Sequence, residues 1–435
     1  MPAQSRMPEE LVSAADAALE ALAGSAVSLP GASGGDLAGC FALVPDPRDP
    51  RGIRHSLASI LAACTAAVLC GCCSLDDVTV WVSRAGQEIL APLGCRRDAL
   101  GVATPPHPDT ITRVLALLGA QGLADHTGAY LARRALAGPV TFPVAGPAWL
   151  PAIAVDGKAV RGAIGADGLI PYLLAAATHG ESAVIAERLI GPKTNEIPEF
   201  APLLRALNAR IPLAGHVITA DAGHTVRAHA TFICEELLAH YVLTVKRNTP
   251  ALFDATGSLD WAAVPVSFQT DETGHGRRER RTIQVLDATD EIKALFPHVS
   301  QVFLIERSVT RKVRKRRKNS RRYKTVEVRS AVAALCVTSL SSREASPEHL
   351  AGYVRGHWSI ENKIHWVRDV TYREDSSQVR TGSTPRIMVT LRNLAIGLIR
   401  QAGHTRIAAT IRKIRHDPRL LLAILGLKPP REQHG

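Results

Sequence analysis

Five short apolar runs between residues 153 and 245 constrain this 435-residue chain more than any other feature. They are Ile153–Asp156, Tyr172–Thr178, Val184–Leu189, His216–Ala220 and Tyr241–Val245, each of strand length. Residues Ile197–Leu207 and Val226–Leu238, lying between the later runs, have helical spacing instead. Three strands, a helix, a strand, a helix and a strand make an α/β domain. Two of the runs end on an acid: Asp156 is followed at once by Gly157, and Asp221 by Ala222-Gly223. Asp is a common turn residue, so each acid alone reads as structural. As a pair at strand ends of one sheet they can converge on a single edge, the usual way carboxylates are gathered around a hard cation.

The flanking regions read differently. Residues 1–35 look like a frayed leader with one helix near Glu9–Leu22, and 36–138 form a helical domain. In that domain an apolar helix spans Leu57–Cys70, Ser74 caps a helix over Asp76–Ser83, and Asp109-Thr110 can cap another. A Gly- and Pro-rich break follows, and 149–400 form the α/β domain with a β-rich insertion over about 250–340. The insertion is marked by Ile283–Leu286, Val302–Ile305 and Val332–Val337. Ser346-Pro347, a good N-cap and N1 pair, opens a long helix to about Val370, and 401–435 form a helical tail.

Charge and cysteine content narrow the function. The chain carries a net +12, and residues 311–324 alone hold ten basic side chains and no acid. Charge concentrated in this way points to one segment that contacts a polyanion. Eight cysteines are too few for a disulfide scaffold, and the CxxC of Cys70 and Cys73 has no second half to complete a zinc site. These cysteines are expected as buried thiols. The stretch His55–Leu75 lacks Asp, Glu, Lys and Arg but contains Ser, Thr, Gly and His, which favours a core helix over a membrane span. The chain reads as cytoplasmic, without a secretory signal.

A third acid comes from the long helix. At 100° per residue Glu361 falls between Trp358 and Ile364, on the apolar face, where a carboxylate needs a partner or a cation. An ion pair with Arg355 or Lys363, or a bond to His365, is the structural alternative. ENKIH is not HExxH, so a zinc protease fits poorly. Two aspartates and a glutamate suit two Mg²⁺ ions in an in-line attack on a phosphodiester, and the basic run suits the same substrate.

In order and spacing, these segments resemble the DDE transposases of bacterial insertion sequences, in the branch that includes the H-repeat-associated proteins. The resemblance covers about residues 40–400. DPRDPRGIRHSLASILAACTAAVLCGCCSLDDV is similar to the helical associated domain of that branch. VDGKAVRG, KTNEIPE, ITADAGHT, YVLTVKRN, GHGRRERR, RGHWSIENKIHWVRDVTYRED and LRNLAIGLIR are similar to its catalytic half.

The resemblance implies an RNase-H-like α/β catalytic domain with Asp156, Asp221 and Glu361 as catalytic and metal-binding acids. The cofactor would be Mg²⁺, with Mn²⁺ as a substitute. The reaction would be cleavage of double-stranded DNA at the terminal repeats of an insertion sequence and joining to target DNA, without a covalent enzyme intermediate, by a homodimer on DNA at the bacterial nucleoid. Lys158, Lys246 and Arg355 would contact phosphates. Arg161, Lys193, Asn195, His224, His275, Arg277, His357 and Trp358 are also expected at DNA, with Arg314, Lys315, Arg316, Arg317 and Lys318 from the basic run.

This chain departs from the pattern in several places. Val226 stands where relatives often carry Gln, and His357 and Arg368 stand where a related branch has Arg and Lys. Glu374-Asp375 is a competing acid, ranked behind Glu361. Two other readings share these features: a DNA-binding protein derived from a transposase and lacking chemistry, and a nuclease that only hydrolyses.

Overall fold

The computed structural model describes residues 36–136, 148–165, 168–191, 194–274, 276–316 and 323–428. The leader helix expected near Glu9–Leu22 lies outside them.

The first part is helical, with α1 (Leu37–Ala42), α2 (Leu57–Leu69), α3 (Leu75–Ser83), α4 (Gln87–Leu90), α5 (Pro108–Leu117) and α6 (Ala120–Ala135). Ser56 caps α2, whose thirteen residues are buried except Ala58, so the charge-free stretch is a core helix surrounded by its neighbours. Among the described residues no helix is long and apolar enough to cross a membrane. Ser74 and Asp77 form a capping box on α3. On α5 the cap is His107 rather than the expected Asp109-Thr110. Its Nδ1 accepts from Asp109 N at 3.2 Å, and Pro108 occupies the first turn, where a missing N–H costs nothing. Burial pushes the Cys70 and Cys72 thiols up to about 12, which keeps them neutral.

The second part is built on one nine-stranded sheet in the order β3-β2-β1-β4-β5-β9-β8-β7-β6. Its first five strands are β1 (Ala152–Ala159), β2 (Tyr172–Thr178), β3 (Val184–Ile190), β4 (Val217–Ala220) and β5 (His240–Val245). β2 runs antiparallel between β1 and β3, whereas β1, β4 and β5 are parallel. The connecting helices are α7 (Glu196–Asn208) and α8 (Arg227–Thr231), which continues as a π-turn over Phe232–Glu236. This is the three-strand, helix, strand, helix, strand order read from the apolar runs.

Two-residue alternation divides the sheet into two faces. Ile153, Val155, Leu174, Ala176 and Ile218 pack with the N-terminal helices in the main core. Ala154, Ala175 and Ala177 lie on the other face, under Ile360 and Ile364. The helical part is seated firmly on the sheet. Gly128 of α6 approaches the Ile185 carbonyl so closely that a Cβ would come within 2.4 Å. Gln121 Nε2 also donates to the Glu187 carbonyl at 2.8 Å.

After β5 come α9 (Pro250–Gly257), β6 (Phe268–Gly274), β7 (Arg277–Asp287), α10 (Asp290–Leu295), β8 (Gln301–Arg316) and β9 (Tyr323–Thr338). These strands far outrun the apolar runs that marked them. Their outer parts are held by charge: buried Glu279 accepts from Arg307 at 2.9 and 2.8 Å and is paired with Arg281 and Arg277. β9 pairs with β5 only over Leu335–Thr338, with Leu335 opposite Val245. Residues 323–334 and their β8 partners therefore overhang the C-terminal edge of the parallel strands, by roughly 40 Å at strand rise. The chain closes with α11 (Pro347–His357), which runs on through π-turns over Ile360–His365 and Val367–Thr371. The final helices are α12 (Thr384–Gln401), α13 (Ile407–Ile414) and α14 (Pro418–Leu425).

Candidate active site

Parallel pairing of Val155 with Ala220 makes Asp156 and Asp221 the next positions on adjacent strands. Alternation puts Asp156 on the face of Ala152 and Ala154, and Asp221 on the face of Val217 and Thr219, so both sit on the side that α11 covers. Asp221 is exposed, and its Oδ1 accepts from Gly223 N at 2.9 Å, closing the turn that ends β4. Lys246, also exposed, follows β5 at the same edge.

α11 reaches this face because small residues let it approach. A Cβ on Gly356 would come within 2.1 Å of His179 Nδ1. Both His179 and His357 bond Thr219 Oγ1, at 2.8 and 3.2 Å. Ser346 caps the helix by accepting from His349 N.

Beyond His357 the winding loosens to π-turns, and this overturns the expectation that Glu361 lies on the apolar face. An i→i+5 turn takes one more residue than an α-turn, so 100° spacing no longer applies. Ile360 and Ile364 become the buried anchors, packed on Ala154, Ala175, Ala177 and Val184. Glu361, Asn362 and Lys363 are exposed. His365, on the buried side, brings Nδ1 to 3.5 Å from Asp156 Oδ2. Burial, then Arg368 and Lys158, hold its imidazole down at about 3, so it is neutral.

Three neighbouring carboxylates act on Asp156. Asp156 is pushed up to about 7, first by burial and then by Glu196, Asp221 and Glu361, against a lowering bond from Gly157 N–H. Asp221 and Glu361 therefore lie within electrostatic reach of Asp156, together with Glu196, an acid to which the sequence motifs assign no role. Glu196 opens α7 at the same edge, because β3 runs parallel to β1 and ends there. Burial pushes its carboxyl up, but bonds from His224 and Tyr172 outweigh that and hold it below the ordinary range. The His224 bond measures 3.1 Å. Gly157 is required beside it, since a Cβ would meet Glu196 Oε1 at 2.4 Å and Tyr172 at 2.5 Å. The available signal was an acid in the first turn of a helix that starts where a parallel strand stops.

Among the described residues no three His, Cys, Asp or Glu side chains close into a ligating cluster. The donor chemistry nevertheless suits a hard divalent cation. The donors are carboxylate oxygens, the ring facing Asp156 is neutral, and Asp156 bears charge repulsion that a cation would relieve.

The other expected site residues fall into distinct settings. His224 is 1% exposed, lies tilted against Phe200 with ring centroids 4.8 Å apart, and is bonded to Glu196. His357 is likewise turned inward to Thr219. The motif strings reveal neither contact. Lys158 is held by Asp369 at 2.7 Å and Arg355 by Glu272 at 2.5 Å. Asn195 caps α7, accepting from Ile197 N at 3.0 Å. Arg161 lies open, 3.8 Å from Asp375, and Trp358 is 57% exposed. Arg277 starts β7, 3.5 Å from Glu279, and Arg314 lies over the Tyr323 ring at 5.4 Å. Lys315 and Arg316 belong to β8. Lys193, His275, Arg317 and Lys318 lie outside the described residues.

The competing acid Glu374 is fully buried between two buried arginines. Arg368 donates to it at 3.0, 2.9 and 2.5 Å, and Arg392 at 3.1 Å. Burial alone would raise its carboxyl, but the guanidinium groups hold it down at about 2.

The described geometry is thus a mixed sheet with two acids following its parallel strands and a third acid on the segment that covers them. Residues 151–398 match the family described as "Transposase DDE domain", and residues 38–131 match "DDE_Tnp_1-associated". The chain belongs to this DDE transposase family. It is 26% identical over 375 residues to "Putative transposase YncI" of Escherichia coli O157:H7, covering 83% of this chain and 86% of that protein. It is 25% identical over 386 residues to "H repeat-associated putative transposase YhhI" of Escherichia coli K12, covering 82% and 89%. A structure of the piggyBac transposase synaptic complex with hairpin DNA aligns over 90% of this chain and 76% of that one, with 11% identity and a TM-score of 0.40, too low to carry an argument.

Proposed function

We propose that this protein cuts DNA at the ends of an insertion sequence and joins them to target DNA by two-metal phosphodiester transfer. The observation that carries this reading is the parallel register that sets Asp156 beside Asp221, where burial, then Glu196, Asp221 and Glu361, raise the Asp156 carboxyl. Asp156, Asp221 and Glu361 would hold Mg²⁺ or Mn²⁺, which supply activation of a water or 3′-hydroxyl and stabilisation of the leaving oxygen. The strand register fixes the two aspartates, and Ile360 and Ile364 fix the helix that carries the glutamate. Lys246, exposed at the same edge, would contact a phosphate of the strand being cut. The overhanging β8–β9 ribbon holds Arg314 beyond this edge, where duplex DNA would lie. Two ends must be joined, so a homodimer on DNA is the working unit.

The test is cleavage and joining of a labelled duplex carrying the sequences that flank the gene, in Mg²⁺ and Mn²⁺, with Glu361→Ala alongside. Metal-dependent joined product, lost in the variant, supports the proposal. Hydrolysis without joining would convert the reading to a nuclease. Specific binding without product in either metal would convert it to a DNA-binding protein.

A further inference from the structure

The helical part carries a cleft of 690 Å³ between the loop before α2 and the wall formed by Arg96 and α5. Its lining includes Arg48, Arg51, Arg54, Arg96 and Arg113, with Asp49 as the only acid among the described residues. Arg48 is structural: it bonds Asp46 at 2.9 and 2.7 Å and the His55 carbonyl at 2.9 Å. Arg51, Arg54 and Arg96 are exposed, and among the described residues none has an acidic partner. Arg113 bonds only the Asp109 carbonyl, at 3.3 Å.

The cleft is built rather than incidental. Asp49 Oδ1 accepts from Arg51 N at 2.8 Å, and Gly52 takes the left-handed turn at φ +82°, which keeps Arg51 and Arg54 on one bend. His55 Nδ1 accepts from Arg96 N at 3.4 Å and joins the two walls. Burial, then Arg96 and Arg48, hold the His55 ring below its ordinary range, an internal report of the positive field. Arginines arranged around a concavity repel one another unless an anion lies among them. A merely solvated face would spread them outward or pair them with acids.

We propose that this cleft binds the phosphate backbone of duplex DNA, as a contact separate from the carboxylate edge and independent of base sequence. Guanidinium forks suit phosphate oxygens, and the lining contains no Asn or Gln to read bases. The inference rests on DNA being the partner and not on the carboxylate chemistry. Because the helical part is seated on the sheet through Gly128 and Gln121, DNA held here would be in fixed register with Asp156 and Asp221.

The experiment measures binding of the full chain to two unrelated 30-base-pair duplexes across a salt series. The samples are wild type, Arg51→Ala/Arg54→Ala/Arg96→Ala, the same three positions as Lys, and a control with Arg84, Arg343 and Arg412 changed to Ala. Losing three phosphate contacts should flatten the slope of log K against log salt by up to about 2.7 and weaken binding roughly tenfold or more on both duplexes. The Lys variant should keep most of the slope, and the control should leave it unchanged. An unchanged slope in the Ala variant, or an equal loss in the control, overturns the proposal. So does tripolyphosphate binding that needs the three arginines while duplex binding does not. Asp156→Asn separates the two ideas: it should bind with the wild-type slope even if the cleavage chemistry proposed above proves wrong.

Discussion

Glu374 and Glu361 are both acids near the end of the same helical segment, and the structure assigns them opposite natures that a single substitution can expose. Glu374 is fully buried with Arg368 and Arg392, each of them 1% exposed. Its carboxyl is lowered from the ordinary value near 4.5 to about 2. That lowering corresponds to about 3 kcal/mol of preference for the charged, paired form. Glu374→Gln removes the charge and leaves two guanidinium groups buried without a counterion, which costs about 3–5 kcal/mol. The expected fall in melting temperature is roughly 3–6 °C for a chain of this length. Arg392 also donates to the Cys73 carbonyl at 2.9 Å, so the loss should loosen the seam between the helical part and α12. The sign with pH follows from the lowered value: the wild-type contribution is present above about pH 4.5 and fades as pH falls toward 2. Exposed Glu361→Gln should change stability by less than about 0.5 kcal/mol. Thermal and urea unfolding of both variants at pH 7 is the assay. A Glu374→Gln protein melting within about 2 °C of wild type would refute the argument.

Other outcomes are equally specific. Asp156 has a raised carboxyl in the folded state, so its charged form is destabilising above about pH 7. Asp156→Asn in chelator should therefore be more stable than wild type at pH 8, by about 1–2 kcal/mol after solvent screening, and the gain should vanish by pH 4. Melting curves at both pH values check this, while the variant should lose cleavage and keep DNA binding. Gly356→Ala would force a methyl to within 2.1 Å of His179 Nδ1. It should cost about 1–3 kcal/mol and depress joining out of proportion to binding, because the helix that carries Glu361 is lifted. Neutralising Arg314–Lys318 should weaken binding alike on unrelated duplexes and flatten the salt slope by up to about 4.5, read by fluorescence anisotropy.

The strands were legible because burial on both faces makes short apolar runs, and Tyr172–Thr178 is a strand over the same residues. The ribbon was legible only in its inner thirds. Toward its tip Arg and Glu pair across strands, and such pairs leave no hydrophobic alternation to read. Glu361, singled out for its chemistry, does not lie on the apolar face where 100° spacing puts it, since nothing in ENKIH announces a π-turn. Glu196 was visible as part of KTNEIPE, yet its nearness to Asp156 depends on the direction in which β3 runs.

By itself the sequence determined the kinds of groups available: two aspartates at strand ends, an acid on a helix, a localised basic run and an apolar helix free of charge. These follow from local pattern, because alternation and capping act over a few residues. Only the tertiary structure decided which acid is paired and which is free. Glu374 and Glu361 differ little as letters, but one lies between two guanidinium groups with no access to water and the other faces solvent beside Asp156. Burial and partners are properties of contacts between residues distant in the chain, and for an ionisable group those contacts decide whether it is part of the frame or of the chemistry.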